Sequence, residues 1–298
     1  MIRMKVADVS VSVRCRQSLS LQELDPAYQS FLFAKRNSPH SADIDVILEL
    51  KGMPETKGLT KIFDSGQSWS MLRRGSEYFA VLSPADLHKQ PVWIARFNRD
   101  ISKVTVYCSD VLIHEGADGS ILSNPVRYPL DQILLMYFLA GKKGALIHAA
   151  AAKINGRGYA FLGRSGAGKS TLSRQFSDRK NVQFLSDDRI VIRKTDHAYK
   201  VFGTPWPGEA DIAENKNSPL ACLFFLSHGS ENRLRELSRK EAFERLLPVT
   251  SIPWYDRKIV DSLLIFCEDL ISLVPAYELS FKPSAEVADF LDHSFGRK

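Results

Sequence analysis

Gly163-Arg164-Ser165-Gly166-Ala167-Gly168-Lys169-Ser170-Thr171 fits the pattern G-x-x-x-x-G-K-[ST] at every required position. Just before it, residues 158–162 (Gly-Tyr-Ala-Phe-Leu) form an apolar run of strand character, and just after it residues 172–176 can continue a helix. Strand, loop and helix in that order are the context a phosphate-binding loop requires, and they argue against a chance glycine-rich turn. The residue types follow from the chemistry. Glycines let successive backbone N–H groups turn inward on phosphate oxygens, and the helix start adds positive dipole. Residues 163 to 171 are therefore predicted to hold a nucleotide, with Lys169 along the β- and γ-phosphates and the Ser170 hydroxyl on Mg²⁺.

Working outward, Asn155-Gly156 separates the strand 158–162 from the apolar run 144–154. That dipeptide between two apolar runs is the strongest short hairpin signal, because both central residues of a type I′ turn need positive φ. If Ile154 pairs with Arg157, paired positions sum to 311, so His148 falls opposite Gly163, at the mouth of the loop (311 − 148 = 163). A histidine there can meet phosphate in its charged form, or it can be a satisfied residue of a small-residue strand. On the other side, the apolar strand 181–186 ends in Asp187-Asp188 and resumes at Ile190. In nucleotide-binding α/β sheets ligands sit at the carboxyl ends of strands, so this pair is suited to Mg²⁺ ligation or general-base work, although two carboxylates also occur in ordinary turns. Further on, Gly203-Thr204-Pro205-Trp206-Pro207-Gly208-Glu209 reads as a rigid loop, with Glu209 either a third carboxylate for metal or a charge at a helix start. A strand is expected at 220–226, an amphipathic helix at 239–247, apolar runs at 263–266 and 276–281, and a closing helix at 284–291.

Residues 1–124 read differently, as short runs at 5–14, 44–50, 59–63, 68–72, 78–82, 92–97 and 104–107 that alternate apolar and polar between turn residues. The pattern predicts an antiparallel β-rich domain. Trp69, Tyr78, Phe79, Trp93 and Phe97 could form an exposed binding face, but strand aromatics read better as core. The chain changes character near Asn124, and 129–140 reads as a helix with Pro at its start and Gly141 at its end, which sets the expected domains at 1–124 and 125–298.

The whole chain of 298 residues is 44% hydrophobic and 25% charged, which suits a two-domain globular protein. Its net charge of +6 is scattered among 34 acidic residues, so a nucleic-acid partner is not expected. Cys15, Cys108, Cys222 and Cys267 make no C-x-x-C pair, so neither zinc nor a disulfide framework is indicated. No signal peptide and no bilayer-length apolar run is read, so the expectation is a cytoplasmic protein without membrane contact.

Together these residues resemble the HPr kinase/phosphorylase-like P-loop kinases, over 144–192 and more loosely from 203 onward. The family has a histidine fifteen residues ahead of its first loop glycine, as His148 is ahead of Gly163 (163 − 148). It has a loop of the type G-x-S-G-x-G-K-S, matched by Gly163, Ser165, Gly166, Gly168, Lys169 and Ser170, and a strand ending in a small residue and two aspartates, matched by Ser186-Asp187-Asp188. The resemblance implies an α/β P-loop kinase domain, a mixed sheet with helices, following the β-rich domain. It implies that Lys169 and the loop amides bind ATP, that Ser170 with Asp188 or Glu209 holds Mg²⁺, that Asp187 takes the acceptor's proton, and that His148 lies beside the transferred phosphate. In HPr kinase itself the acceptor is a serine of a small phosphocarrier protein, and the enzyme is a hexamer that also reverses the reaction, so a homo-oligomer is among the implied states. This chain departs at Arg164, commonly acidic there, at Thr171, which replaces a glutamate, and at 203–209, which replaces a glycine-rich signature. In those respects it is similar to diverged relatives that phosphorylate a serine in precursor peptides such as lasso peptides. The expected activity is transfer of the γ-phosphate to a hydroxyl, most naturally a serine of a protein or peptide. A small-molecule kinase and a non-catalytic ATP-sensing module are the alternatives. A sensor needs no base, whereas peptide and small-molecule kinases differ in whether a long groove or a pocket borders the γ-phosphate.

Overall fold

Ala7 and Asp8 both take positive φ (51° and 61°) in this computed structural model, and the turn they make splits the expected strand 5–14 into two. The halves, β1 (Ile2–Val6) and β2 (Val9–Cys15), pair antiparallel from Val6↔Val9 outward. The structure describes residues 1–17, 19–33, 42–84, 90–117, 119–164, 166–176, 179–196, 198–284 and 286–295. The chain is α/β with mixed sheets, and it divides into two units, Met1–Phe138 and Leu139–Lys298. That division runs through a helix, whereas the sequence changes character near Asn124.

The first unit continues with β3 (Ser20–Leu21), β4 (Ile44–Glu49), β5 (Thr60–Asp64), β6 (Trp69–Arg74), β7 (Glu77–Leu82), β8 (Trp93–Asn98), β9 (Lys103–Cys108), β10 (Ile113–Gly116) and β11 (Gly119–Leu122). Eight of these strands form one sheet in the order β1-β2-β4-β9-β8-β7-β6-β5, and β10-β11-β3 form a small second one. The sheet is not purely antiparallel as expected: β2–β4 and β4–β9 are parallel. Parallel neighbours need a crossover, and here the connection from β4 to β9 is itself the meander β5–β8, so local alternation gives no sign of it. Tyr78, Phe79, Trp93 and Phe97 are core, each no more than 3% exposed, and Trp69 is half-buried against Phe63 with ring centroids 4.8 Å apart. Helix α1 (Leu130–Ala140) covers the expected span, and its Tyr137 ring meets Tyr78 and Phe97 edge-on, both at 5.5 Å.

The second unit comprises β12 (Gly144–Ile154), β13 (Arg157–Leu162), α2 (Lys169–Gln175), β14 (Val182–Ser186), β15 (Arg189–Thr195), β16 (Ala198–Phe202), β17 (Asn217–His228), β18 (Arg233–Glu236), α3 (Arg239–Leu246), α4 (Arg257–Leu273), β19 (Ala276–Phe281) and α5 (Glu286–Phe295). Asn155 and Gly156 take φ of 50° and 83°, and the turn sets the register Ile154↔Arg157 that holds to Ala149↔Leu162, every pair summing to 311. Beyond it β12 changes partner, and His148 pairs with Arg189 of β15 rather than running on to Gly163. Ala149–Ala152 are fully buried, and from Ala151 onward the strand is paired on both edges, by β13 and β14. β17 changes partner in the same way, from β16 at Pro219 to β13 at Leu220, so that β12, β15, β16, β17 and β13 close a ring of pairings.

Two antiparallel steps, β13 to β12 to β14, leave β13 and β14 running the same way, and β17 and β19 are parallel to β13 through one another. The carboxyl ends of all four strands therefore meet at one edge, where Gly163-Arg164 and Asp187-Asp188 follow β13 and β14 and where His228 and Phe281 end β17 and β19. The core beneath is aromatic: Phe161 stacks on Phe224 at 5.4 Å, and Leu172, Leu279, Val287 and Leu291 pack around them. Burial of each such large side chain contributes about 1.5–3 kcal/mol. The run 263–266 proves to be the middle of the long helix α4, whose Ile259, Leu263, Phe266, Cys267 and Leu270 form its buried stripe. The four cysteines are free, and burial pushes the Cys108 and Cys267 thiols up to about 12. Among the described residues no helix is long and apolar enough to cross a membrane.

Candidate functional site

At that edge the 163–168 loop is shaped by its glycines. Gly168 caps α2 in the left-handed conformation (φ 95°), and a Cβ there would lie 2.8 Å from Phe281 Cζ, so both backbone and space require glycine. Gly166 is also left-handed (φ 82°), with open space around it, and its carbonyl lies 2.8 Å from His228 Nε2. His228 was not singled out from the sequence; the available signal was its place at the carboxyl end of the 220–226 run. Ser165 lies outside the described residues. Thr171 is half-buried in the first turn of α2, and Ala167 closes the loop by donating its N–H to the Arg164 carbonyl at 3.0 Å.

The Lys169 ammonium is buried and donates to the carbonyls of Gly163 (2.8 Å) and Arg164 (3.3 Å), with His148 Nε2 3.0 Å away. Burial depresses its pKa, against the attraction of Asp188 and, more weakly, Asp187 and Glu209. The other imidazole nitrogen of His148, Nδ1, lies 2.9 Å from Asp188 Oδ1 but out of hydrogen-bond alignment. Burial pushes the Asp188 carboxyl up, but the His148 contact and the charges of Arg189 and Lys169 outweigh it and hold it below the usual carboxylate range. Arg189 Nε sits 3.5 Å from Asp188 Oδ2. Lys169, His148 and Asp188 thus form one chain of contacts at the start of the loop.

Asp187, expected as the base, is placed otherwise. Its carboxylate is 2% exposed and is bonded by one loop: Oδ1 accepts from the Gly208 N–H (2.8 Å) and the Ile212 N–H (3.3 Å), Oδ2 from the Ala210 N–H (2.7 Å). The rest of the 203–214 loop is stitched to the same strand end. Thr204 Oγ1 donates to the Arg189 carbonyl at 2.5 Å, and the Glu214 N–H to the Leu185 carbonyl at 2.9 Å. Gly203 sits where a Cβ would lie 2.1 Å from the Glu214 carbonyl oxygen and 2.4 Å from that of Leu185, both backbone atoms. Gly203→Ala is therefore expected to cost about 3 kcal/mol or more, read as a lowered denaturant midpoint with an unchanged slope; a midpoint like the parent's would mean the loop is free to move.

The residues expected to hold Mg²⁺ are Ser170, Asp188 and Glu209. Asp188 faces the Lys169 ammonium, Glu209 is exposed on the loop anchored by Asp187, and Ser170 is in the first turn of α2. Among the described residues no group of three or more His, Cys, Asp or Glu could hold a metal ion. A magnesium ion that keeps waters and phosphate oxygens needs only one or two protein carboxylates, and the hard oxygens of Asp188 and Ser170 suit it. The buried ammonium of Lys169 likewise suits an anionic group.

No family model matches the chain, and no curated protein matches it. Among solved structures it is similar to the Hpr(Ser) kinase/phosphatase from Coxiella burnetii, at 16% identity and a TM-score of 0.23 over 50% of this chain and 98% of that one. A likeness at that level carries no argument.

If the site transfers a phosphoryl group, His148→Ala is expected to slow that transfer by roughly 10-fold or more and to change its pH profile, because the ring stands between Lys169 and Asp188. The same rate and profile as the parent would make the histidine structural.

Proposed function

We propose that this chain is an ATP- and Mg²⁺-dependent kinase that transfers the γ-phosphate to a hydroxyl, with its machinery in residues 125–298. The observation that carries the reading is the meeting of Lys169, His148 and Asp188 at the start of a glycine-shaped loop. Lys169 supplies positive charge at the transferred group, and the N–H groups of residues 163–171 cradle the phosphates. Mg²⁺, when bound, neutralises charge developing between the β- and γ-phosphates, and Ser170 and Asp188 are the residues to hold it. Among the described residues the second oxygen of Asp188 meets only Arg189 Nε, at 3.5 Å, whereas Asp187, with both oxygens bonded, holds the 203–214 loop in place and so fixes where Glu209 lies. We therefore assign the acceptor's proton to Asp188, in place of Asp187, to which the family resemblance gives it. A serine of a protein or peptide is the acceptor that the resemblance implies.

The direct test is transfer of labelled γ-phosphate from ATP with Mg²⁺ or with a chelator, in a lysate of the native organism, followed by identification of the labelled species. Calorimetry should give at least ~10-fold tighter ATP binding with Mg²⁺ than with chelator. Equal affinity in both conditions, with no labelled product, would sink the kinase reading and leave ATP as an ordering ligand of a sensor.

A further inference from the structure

A lysine of a phosphate loop reaches the β- and γ-phosphates, so the ammonium of Lys169 marks the transfer end of the loop. That ammonium rests on the carbonyls of Gly163 and Arg164. The same two residues line a pocket of about 320 Å³. Its apolar wall is Leu162, Phe225, Leu226 and Val249, and its charged lining is Arg164, Arg245 and Glu244. The wall is fixed to β12: next to Val249, Thr250 bridges Ile147, and the Ser251 N–H donates to the Leu146 carbonyl at 2.8 Å, one and two residues from His148.

Size and charge both restrict what enters. About 320 Å³ lies at the small end of ligand sites and suits one amino-acid-sized compound. The guanidinium of Arg164 is exposed and has no partner among the described residues. Arg245 gives one nitrogen to Glu278 at 3.2 Å, which leaves further N–H groups for a ligand and holds the side chain at the rim. Glu244 also lines the pocket, with its carboxylate 4.0 Å from the Lys240 ammonium. Two guanidinium groups above an apolar floor match a carboxylate on an apolar body.

We propose that this pocket is the acceptor subsite and that the acceptor is a small, partly apolar hydroxy acid; this rests on the reading of the loop as a phosphoryl-transfer site. The carboxylate lies between Arg164 and Arg245, the apolar body on Phe225, Leu226 and Val249, and the hydroxyl points toward Lys169. The hydroxyl oxygen forms the new O–P bond to the γ-phosphorus, the bond from that phosphorus to the β–γ bridging oxygen breaks, ADP leaves with that oxygen, and the hydroxyl proton passes to Asp188.

The test uses the full chain with Mg²⁺, γ-labelled ATP and four probes, serine, threonine, 2-hydroxyisocaproate and 3-phenyllactate, each as the acid and as its primary amide, beside a blocked Ala-Ser-Ala peptide. At least one acid is expected to be labelled 10-fold or more faster than its amide. Arg245→Gln should raise the KM for that acid 10-fold or more with Mg-ATP affinity kept within two-fold, and Arg245→Lys should restore part of the loss. Acids and amides labelled at equal rates, labelling of the blocked peptide alone, or no labelling of any probe while Mg-ATP binds would each overturn the subsite. Loss of Mg-ATP binding in the parent would instead remove the kinase reading on which it stands.

Discussion

Lys169→Ala is expected to lose phosphoryl transfer by on the order of 10²–10³-fold or more while the protein stays folded. The two halves of that expectation have separate physical grounds. For function, the ammonium is the only side-chain cation of the loop turned onto it, held by the Gly163 and Arg164 carbonyls beside His148, among the described residues. For stability, the sign runs the other way from that of most salt-bridged lysines. Burial depresses the Lys169 pKa, so below that pKa the folded state holds a charge it disfavours relative to the unfolded chain, and removing that charge offsets part of the loss of its bonds to the Gly163 and Arg164 carbonyls. Transfer assays paired with thermal melts check both halves. Full turnover in a folded variant would remove the loop as the active site, and a collapsed melting temperature would show that Lys169 holds the loop together.

Much of this site could be read from the chain because it is local. The Asn155-Gly156 turn dictates the hairpin register through to Ala149↔Leu162, and so the nearness of His148 to the loop. Even there, the arithmetic could not see that β12 leaves β13 after Ala149 and gives His148 to Arg189. What escaped was decided by distant segments. Helix α4 showed only as the short run 263–266, because Val274, not glycine, follows its end. His228 reaches Gly166 only because β17 runs parallel to β13, a pairing between strands far apart in sequence. The turn at Ala7-Asp8 has no glycine or asparagine to announce its positive φ. The two aspartates were the sharpest case. Strand alternation says that Asp187 and Asp188 face opposite ways, but not which way each faces. The backbone N–H groups of residues 208–212 decide it, and amide positions in a loop leave no trace in residue types.

Asp187→Asn is expected to unfold more readily and Asp188→Asn to stop transfer, and the two effects should separate cleanly. Both oxygens of Asp187 are acceptors in the fold, Oδ1 for Gly208 and Ile212 and Oδ2 for Ala210, so either orientation of an asparagine amide sets its NH₂ against a backbone donor. The carboxylate is buried, and unmatched donors of this kind cost about 1–3 kcal/mol each, so a loss on the order of 3 kcal/mol in denaturant melts is expected, with transfer falling only as the 203–214 loop loosens. Asp188 is partly exposed and meets His148 and Arg189 through long or misaligned contacts, so Asp188→Asn should change stability by less than about 1 kcal/mol. Its cost is chemical: roughly 10² or more in transfer, with weaker Mg²⁺ dependence, since one group serves the ion and the acceptor's proton. The Asp188 carboxyl is also held below its ordinary range, so its contribution to stability is present above an unfolded pKa of about 4 and fades as pH falls through the lower folded value, a loss that Asp188→Asn should abolish. An Asp187→Asn variant that melts like the parent, binds Mg-ATP within a few-fold and yet transfers 10²-fold more slowly would return the base to Asp187 and undo the division of labour drawn from the loop.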